Sequence, residues 1–96
     1  MELGASEKEK IIEICRRNDI SFCALFGSFA RGEAGKESDV DLLIRFAKPK
    51  SLLSHISITH ELEDVLGKEV DLVTEQELSP HIRGNVLRDV QIIYGA

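Results

Sequence analysis

The chain has 96 residues, of which 43% are hydrophobic and 30% are charged, and its net charge is -5. This length predicts one domain over residues 1–96, and no apolar run approaches the ~20 residues that a membrane span needs. The N-terminus lacks the basic-then-apolar pattern of a secretory signal, so we expect a cytoplasmic protein that does not bind membranes. Its basic residues are dispersed and outnumbered, which argues against a duplex nucleic acid as partner.

Hydrophobic spacing and capping residues predict helices and strands in alternation. Ser6 and Glu9 have the spacing of a capping box that opens the first helix, which closes at 16–18. The later predicted elements are a strand Ile20–Phe26, a short helix from Ser28 to Arg31, a loop over 32–38, a strand Val40–Phe46, a helix Leu52–Leu66 ended by Gly67, a strand Glu69–Val73, a connector or helical turn over 74–78, a helix from Ser79-Pro80 to about Arg88, and a strand Gln91–Tyr94. This order predicts a mixed α/β domain, α+β in arrangement, in which helices cover a small sheet.

Two further expectations concern the core. Cys15 and Cys23 lie in apolar segments and are predicted to be reduced core residues, because two cysteines are too few ligands for a metal site. In the helix Leu52–Leu66, apolar residues and one histidine recur at helical spacing, and the helix could contribute either to the core or to an interface with a partner. These residues are Leu53, Ile56, His60, Leu62, Val65 and Leu66.

Three aspartates are predicted to meet on one face of the sheet. Asp39 and Asp41 are two residues apart on a strand and therefore point to the same side, while the apolar residues between and after them point to the other. Asp71 has the same parity on the following strand, so pairing of the two strands would bring it beside Asp39 and Asp41. Three carboxylates suit Mg²⁺ or Mn²⁺, and two ions ~4 Å apart could clamp a displacement at phosphorus.

A phosphate-binding turn is predicted just before these aspartates. Gly27 removes a Cβ and lets backbone N–H groups approach a phosphate, and Ser28 adds a hydroxyl at the start of a helix. Arg31, one turn later, could also reach a phosphate. Arg45 shares the parity of the aspartates and could either reach a nucleotide or hold an aspartate.

The chain resembles a known family at these residues. Gly27-Ser28, ten intervening residues and Asp39-x-Asp41 resemble the signature of the DNA polymerase beta-like nucleotidyltransferase superfamily. The neighbouring Leu25-Phe26, Phe29-Ala30-Arg31-Gly32 and Ser38 resemble its minimal nucleotidyltransferase group. Asp71, within Glu69-Val70-Asp71-Leu72-Val73, matches the third carboxylate of the family.

The resemblance implies the nucleotidyltransferase fold and transfer of a nucleoside monophosphate from a triphosphate to a hydroxyl, with release of pyrophosphate. It implies that Asp39 and Asp41 hold two Mg²⁺ ions, and that Asp71 completes the second metal site and helps to deprotonate the acceptor. Gly27 and Ser28 would grip the β- and γ-phosphates. Members resembling this chain are antitoxins that use ATP to add AMP to a tyrosine of a HEPN-domain ribonuclease toxin.

Two other functions remain open at this point. The chain could be a binding subunit that neutralises a partner by occlusion, because it lacks an obvious module for an acceptor. It could also be a transferase that acts on a small molecule or an RNA end, although larger relatives with those substrates carry extra domains.

Overall fold

The computed structural model describes residues 4–27, 39–77 and 90–95. The predicted short helix at 28–31, the loop over 32–38 and the helix beginning at Ser79-Pro80 lie outside the described residues, and so do Ser28 and Arg31 themselves. Described elements, in chain order, are α1 (Ala5–Arg17), β1 (Ile20–Phe26), β2 (Val40–Phe46), α2 (Leu52–Leu66), β3 (Val70–Thr74), a 3-10 turn (Glu75–Glu77) and β4 (Gln91–Tyr94). The predicted bounds of β1, β2, α2 and β4 are confirmed, and β3 lies one residue later than predicted.

The start of α1 corrects the capping-box prediction. The N-cap is Gly4, whose carbonyl oxygen accepts a hydrogen bond from the Lys8 amide at 3.1 Å. Ser6 is therefore the second residue of the helix, inside the first turn, where its hydroxyl is not at the capping position. The predicted end is confirmed: Asn18 is the C-cap, and its side-chain amide donates to the Ile14 carbonyl at 2.8 Å.

The four described strands form one mixed sheet in the order β3-β2-β1-β4. β1 is antiparallel to both β2 and β4, whereas β2 and β3 are parallel. A parallel pair requires a crossover connection, and α2 supplies it between β2 and β3. The fold class predicted from the sequence, a small mixed sheet with helices against it, is confirmed.

One face of the sheet packs against α1 and α2 and forms the core. Its members are Ile11, Ile14 and Cys15 of α1, Ile58 and Leu62 of α2, and Ile20, Cys23, Leu25, Val40, Leu42, Ile44, Val70 and Leu72 of the strands. Alternate residues of β2 supply the centre of this core and are 0% exposed. Burial of such side chains is worth about 1.5–3 kcal/mol each, so this face carries most of the stability of the described fold.

The apolar residues of α2 lie on two faces. Ile58 and Leu62 are buried, and Val65 and Leu66 pack against the core. Leu53 and Ile56 are instead 78% and 43% exposed, and His60 is also exposed. At 100° per residue these three lie on the side of the helix opposite Ile58 and Leu62, so the predicted stripe combined two different faces.

The ends of α2 follow their capping residues. The Ser51 hydroxyl accepts a hydrogen bond from the Ser54 amide at 3.2 Å, and Gly67 adopts the left-handed conformation with φ 66 at the C-cap. Serine at the N-cap and glycine after the last turn are the preferred residues at these positions. Among the described residues, no helix is both long enough and apolar enough to cross a membrane.

Candidate active site

The end of β1 brings the backbone against an aspartate of β2. Phe26 pairs with Asp41 across the two strands, and the next residue, Gly27, has φ 72. A Cβ at Gly27 would overlap the Asp41 Oδ2 atom and would lie 3.2 Å from its Cγ. Two features favour glycine at this position. One is the left-handed backbone conformation, and the other is the Asp41 carboxylate that packs against the Gly27 Cα.

Asp41 and Asp71 stand side by side on the face of the sheet that α1 and α2 do not cover. The register of β2 and β3 pairs Asp41 with Asp71, with Val40 opposite Val70 and Leu42 opposite Leu72. The flanking apolar residues are buried in the core, Asp41 is partly exposed, and Asp71 is exposed. The predicted pairing of the two strands, with both carboxylates on one face, is confirmed.

Asp39 directly precedes β2 and is exposed. The Val40 amide donates to the Glu69 carbonyl oxygen at 2.9 Å, which anchors the start of β2 to the residue before β3. Because side chains alternate along an extended chain, Asp39 has the parity of Asp41. The structure thus gathers Gly27, Asp39, Asp41 and Asp71 at one end of the sheet.

This arrangement places like charges on neighbouring strands. Adjacent strands are ~4.8 Å apart, and two carboxylates at about 5 Å repel by about 1 kcal/mol in water and about 3 kcal/mol at an effective dielectric constant near 20. A bound cation would remove that cost. Within the described residues, no group of three or more His, Cys, Asp or Glu side chains is arranged to hold a metal ion, so the metal site stays a prediction.

Arg45 lies at the other end of the same face. Its guanidinium contacts the Glu75 carboxylate at 2.7 Å and lies 5.3 Å from the centre of the Phe22 ring. Four residues of strand separate it from Asp41, about 13 Å. Of the two roles the sequence left open, holding an aspartate is therefore disfavoured, because the contact partner is Glu75.

No feature of the sequence indicates the position of Phe22. The register shifts between Ile20, which pairs with Phe46, and Phe22, which pairs with Arg45. The extra residue is Ser21, whose hydroxyl donates to the Arg45 carbonyl at 3.1 Å. This bulge turns Phe22 to the aspartate face, whereas unbroken alternation with Ile20 would have placed it in the core.

One cavity lies apart from the aspartates. It measures about 700 Å³ and lies beyond the carboxyl end of β2, where Phe46, Lys48, Ser51, His55 and Glu77 are among its lining residues. The His55 Nε2 atom is 2.8 Å from the Leu72 carbonyl oxygen, so this ring ties α2 to β3. Arg45 also lines this cavity, whereas Gly27, Asp39, Asp41 and Asp71 do not.

Comparison with known proteins agrees with this geometry. A family model described as polymerase beta, nucleotidyltransferase, matches residues 9–96. The protein adenylyltransferase MntA of Thermococcus cleftensis is 42% identical over 78 residues, covering 81% of this chain and 79% of that protein.

Two solved structures are similar as well. One, provisionally described as a minimal nucleotidyltransferase, is 40% identical, with a TM-score of 0.80 and coverage of 90% of this chain and 88% of that chain. The other, a toxin–antitoxin complex with AMP-PNP, is 25% identical, with a TM-score of 0.81 and coverage of 93% and 73%. Because the family model spans almost all of the sequence and close relatives match most of their own length, this chain belongs to the polymerase beta nucleotidyltransferase family.

Proposed function

We propose that this chain is a protein adenylyltransferase that moves AMP from ATP to a tyrosine hydroxyl of a partner HEPN toxin and thereby acts as its antitoxin. The observation that carries the proposal is the pairing of Asp41 with Asp71 beside Gly27. At the start of β2, this pairing brings two carboxylates next to the glycine that follows β1. Carboxylates beside a glycine turn are the residue types that a phosphoryl-transfer site requires.

Asp39, Asp41 and Asp71 are the residues proposed to hold two Mg²⁺ ions. Their oxygen atoms are hard ligands that suit Mg²⁺, and the repulsion between Asp41 and Asp71 favours a cation between them. The bound ions would stabilise the charge that develops on the transferred phosphoryl group. Asp71 is the exposed member of the pair and is therefore proposed as the carboxylate that accepts the proton of the attacking hydroxyl.

Gly27, Ser28 and Arg31 are proposed to bind the triphosphate. Gly27 ends β1 directly beside Asp41, so phosphates bound along its backbone would lie next to the carboxylates. The similar complex that contains AMP-PNP supports an adenine nucleotide as the donor. The roles of Ser28 and Arg31 come from the motif alone.

The acceptor is inferred from relatives. The Thermococcus cleftensis protein, 42% identical, is named a protein adenylyltransferase, and the complex with AMP-PNP is a toxin with its antitoxin.

The proposal is tested by incubating the purified chain with ATP, Mg²⁺ and its partner toxin and measuring the intact mass of the toxin. We expect a mass increase of one or more AMP units, located on a tyrosine by peptide sequencing. Asp41→Asn and Asp71→Asn should abolish the increase, whereas Asp64→Asn, which removes one charge from the exposed surface of α2, should not.

The same variants separate the proposal from its alternatives. If Asp41→Asn still neutralises the toxin in cells, occlusion rather than AMP transfer explains the antitoxin activity. If labelled AMP appears on RNA or on a small molecule and never on the toxin, the acceptor proposed here is wrong.

A further inference from the structure

The strand that carries Asp71 lies at one edge of the described sheet. In the order β3-β2-β1-β4, β3 has β2 as its neighbour on one side only. The Glu69 carbonyl oxygen accepts a hydrogen bond from the Val40 amide at 2.9 Å, and in a parallel pair the backbone groups of alternate residues face the neighbouring strand. The backbone of Asp71 therefore faces β2, whereas the backbone groups of Val70 and Leu72 face away from the sheet.

Two side chains of α2 bond to these outward-facing groups. The Val70 amide donates to the Glu63 Oε2 atom at 3.1 Å, and the His55 Nε2 atom lies 2.8 Å from the Leu72 carbonyl oxygen. Because a carbonyl oxygen can only accept a hydrogen bond, the proton in the second bond is on Nε2. The bonded residues come directly before and directly after Asp71 in β3, so α2 holds the backbone on both sides of this aspartate.

Both side chains project from a helix that is itself fixed. The Gly67 amide donates to the Glu63 carbonyl oxygen at 2.8 Å and closes the last turn of α2. The His55 ring meets the Phe46 ring edge to face, with 6.4 Å between their centres, and the His55 side chain is 20% exposed. Because α2 is anchored in the core through Ile58, its two side chains connect the core to the edge strand.

We propose that Glu63 and His55 are positioning residues for AMP transfer, which keep Asp71 in place beside Asp41. The inference rests on the role proposed above for Asp71. An edge strand has a neighbour on one side only, so its backbone shifts or frays more easily than that of a central strand. A displacement of about 1 Å can cost 100-fold in a reaction that depends on position. The two bonds from α2 oppose such a displacement from the side where β3 has no strand partner in the described sheet.

Glu61 provides a matched control for Glu63. It lies on the same helix, but its carboxylate contacts the end of α1 and not β3, with the Arg17 Nη2 atom at 2.6 Å and the Asn18 Nδ2 atom at 3.3 Å. Each glutamate thus ties α2 to another element through its carboxylate, and loss of either should lower the melting temperature. Of the two changes, Glu63→Ala should release the backbone next to Asp71, and Glu61→Ala should not.

The experiment measures AMP transfer to the partner toxin and amide hydrogen exchange in the full chain, at a temperature where every variant is folded. Glu63→Ala should lower kcat by about 10–100-fold and leave KM for ATP within about twofold, because the change disturbs a proposed metal ligand and not the proposed triphosphate-binding turn after β1. Exchange of the Val70 and Asp71 amides should become at least about tenfold faster. Glu61→Ala should leave transfer and both exchange rates at the wild-type level.

Two further variants separate positioning from general stability. Glu63→Gln keeps a side-chain oxygen that can accept a hydrogen bond from the Val70 amide, so it should recover most of the transfer that Glu63→Ala loses. His55→Phe keeps a ring beside Phe46 but cannot bond to the Leu72 carbonyl oxygen, so it should lower kcat in the same way as Glu63→Ala.

The outcomes that would overturn the inference are specific to each residue. If Glu63→Ala or His55→Phe transfers AMP as well as Glu61→Ala does, the substituted residue has no positioning role. Unchanged exchange at Val70 and Asp71 in Glu63→Ala, or a Glu63→Gln variant as inactive as Glu63→Ala, would refute the role of Glu63. The exchange measurement needs neither toxin nor nucleotide, so it decides whether α2 holds β3 even if wild type transfers no AMP and the proposed function fails.

Discussion

Replacement of Gly27 by alanine separates what this residue does for stability from what it does for the site. Gly27 has φ 72, and a non-glycine residue in the left-handed region costs roughly 1–2 kcal/mol. The added Cβ would also overlap the Asp41 carboxylate. That carboxylate is the far end of a flexible side chain and can rotate away, so the overlap should add little to the loss of stability. It should instead move a proposed metal ligand.

Gly67 provides a matched control. It has φ 66, nearly the backbone conformation of Gly27, and no atom lies within 4 Å of the Cβ that alanine would add. Gly67→Ala should therefore lose about 1–2 kcal/mol from the backbone alone. For a domain of this size, each kcal/mol corresponds to roughly 4–8 °C in melting temperature.

The assay measures unfolding in denaturant and AMP transfer to the partner, at a temperature where both variants are folded. We expect similar losses of stability in the two variants. Transfer should fall at least about 100-fold in Gly27→Ala, the size seen when one group that stabilises a transition state is lost, and should stay within about twofold in Gly67→Ala. Equal transfer by both variants would refute the argument that Gly27 makes room for Asp41.

Three other predictions rest on separate contacts. Asp71→Asn should abolish AMP transfer. Without metal, it should leave the free energy of unfolding unchanged or raise it by up to about 1 kcal/mol, because the repulsion between Asp71 and Asp41 disappears. A clear destabilisation in chemical denaturation would contradict this expectation. Leu62→Ala should lower the free energy of unfolding by about 2–5 kcal/mol, since Leu62 is a buried core side chain, and a smaller loss would place α2 outside the core. The hydrogen bond and charge of Lys50 lower the pKa of the Asp19 carboxyl. This ion pair therefore stabilises the fold at a pH above the unfolded-state pKa of Asp19, and the stabilisation is lost as the pH falls through the folded-state pKa. Wild type should melt at a higher temperature than Asp19→Asn at pH 7, and this difference should become smaller below about pH 4.

The sheet was predictable because its signals are local. β1 and β2 are mostly apolar segments bounded by glycine or polar residues, and their bounds agree with the prediction residue for residue. The position of Asp71 was predictable for a related reason: parity along each strand is fixed by alternation, so a single assumption, that β2 and β3 pair, was enough to place it beside Asp41.

The errors arose where geometry depends on more than local spacing. Ser6 has the residue type of a helix cap, but Gly4 provides the first carbonyl, and a difference of two residues moves the hydroxyl into the first turn. The side of the sheet on which Phe22 lies was not predicted at all, because the bulge at Ser21 that determines it leaves no mark in an apolar run. The apolar residues of α2 occupy two faces, and only packing against the sheet shows that Ile58 and Leu62, not Leu53 and Ile56, lie against it.

The two faces of β2 explain how a small domain can carry a costly charge cluster. On one face, Val40, Leu42 and Ile44 are completely buried, and large-to-small changes at such positions cost several kcal/mol each. On the other face, Asp41 and Asp71 are paired across neighbouring strands, where two carboxylates about 5 Å apart would repel by about 1–3 kcal/mol. Because the residues alternate, each strand position that adds a charge to the site is followed by one that adds burial to the core. The cost of keeping like charges together is therefore offset within the same seven residues, which allows the site to exist before nucleotide or metal binds.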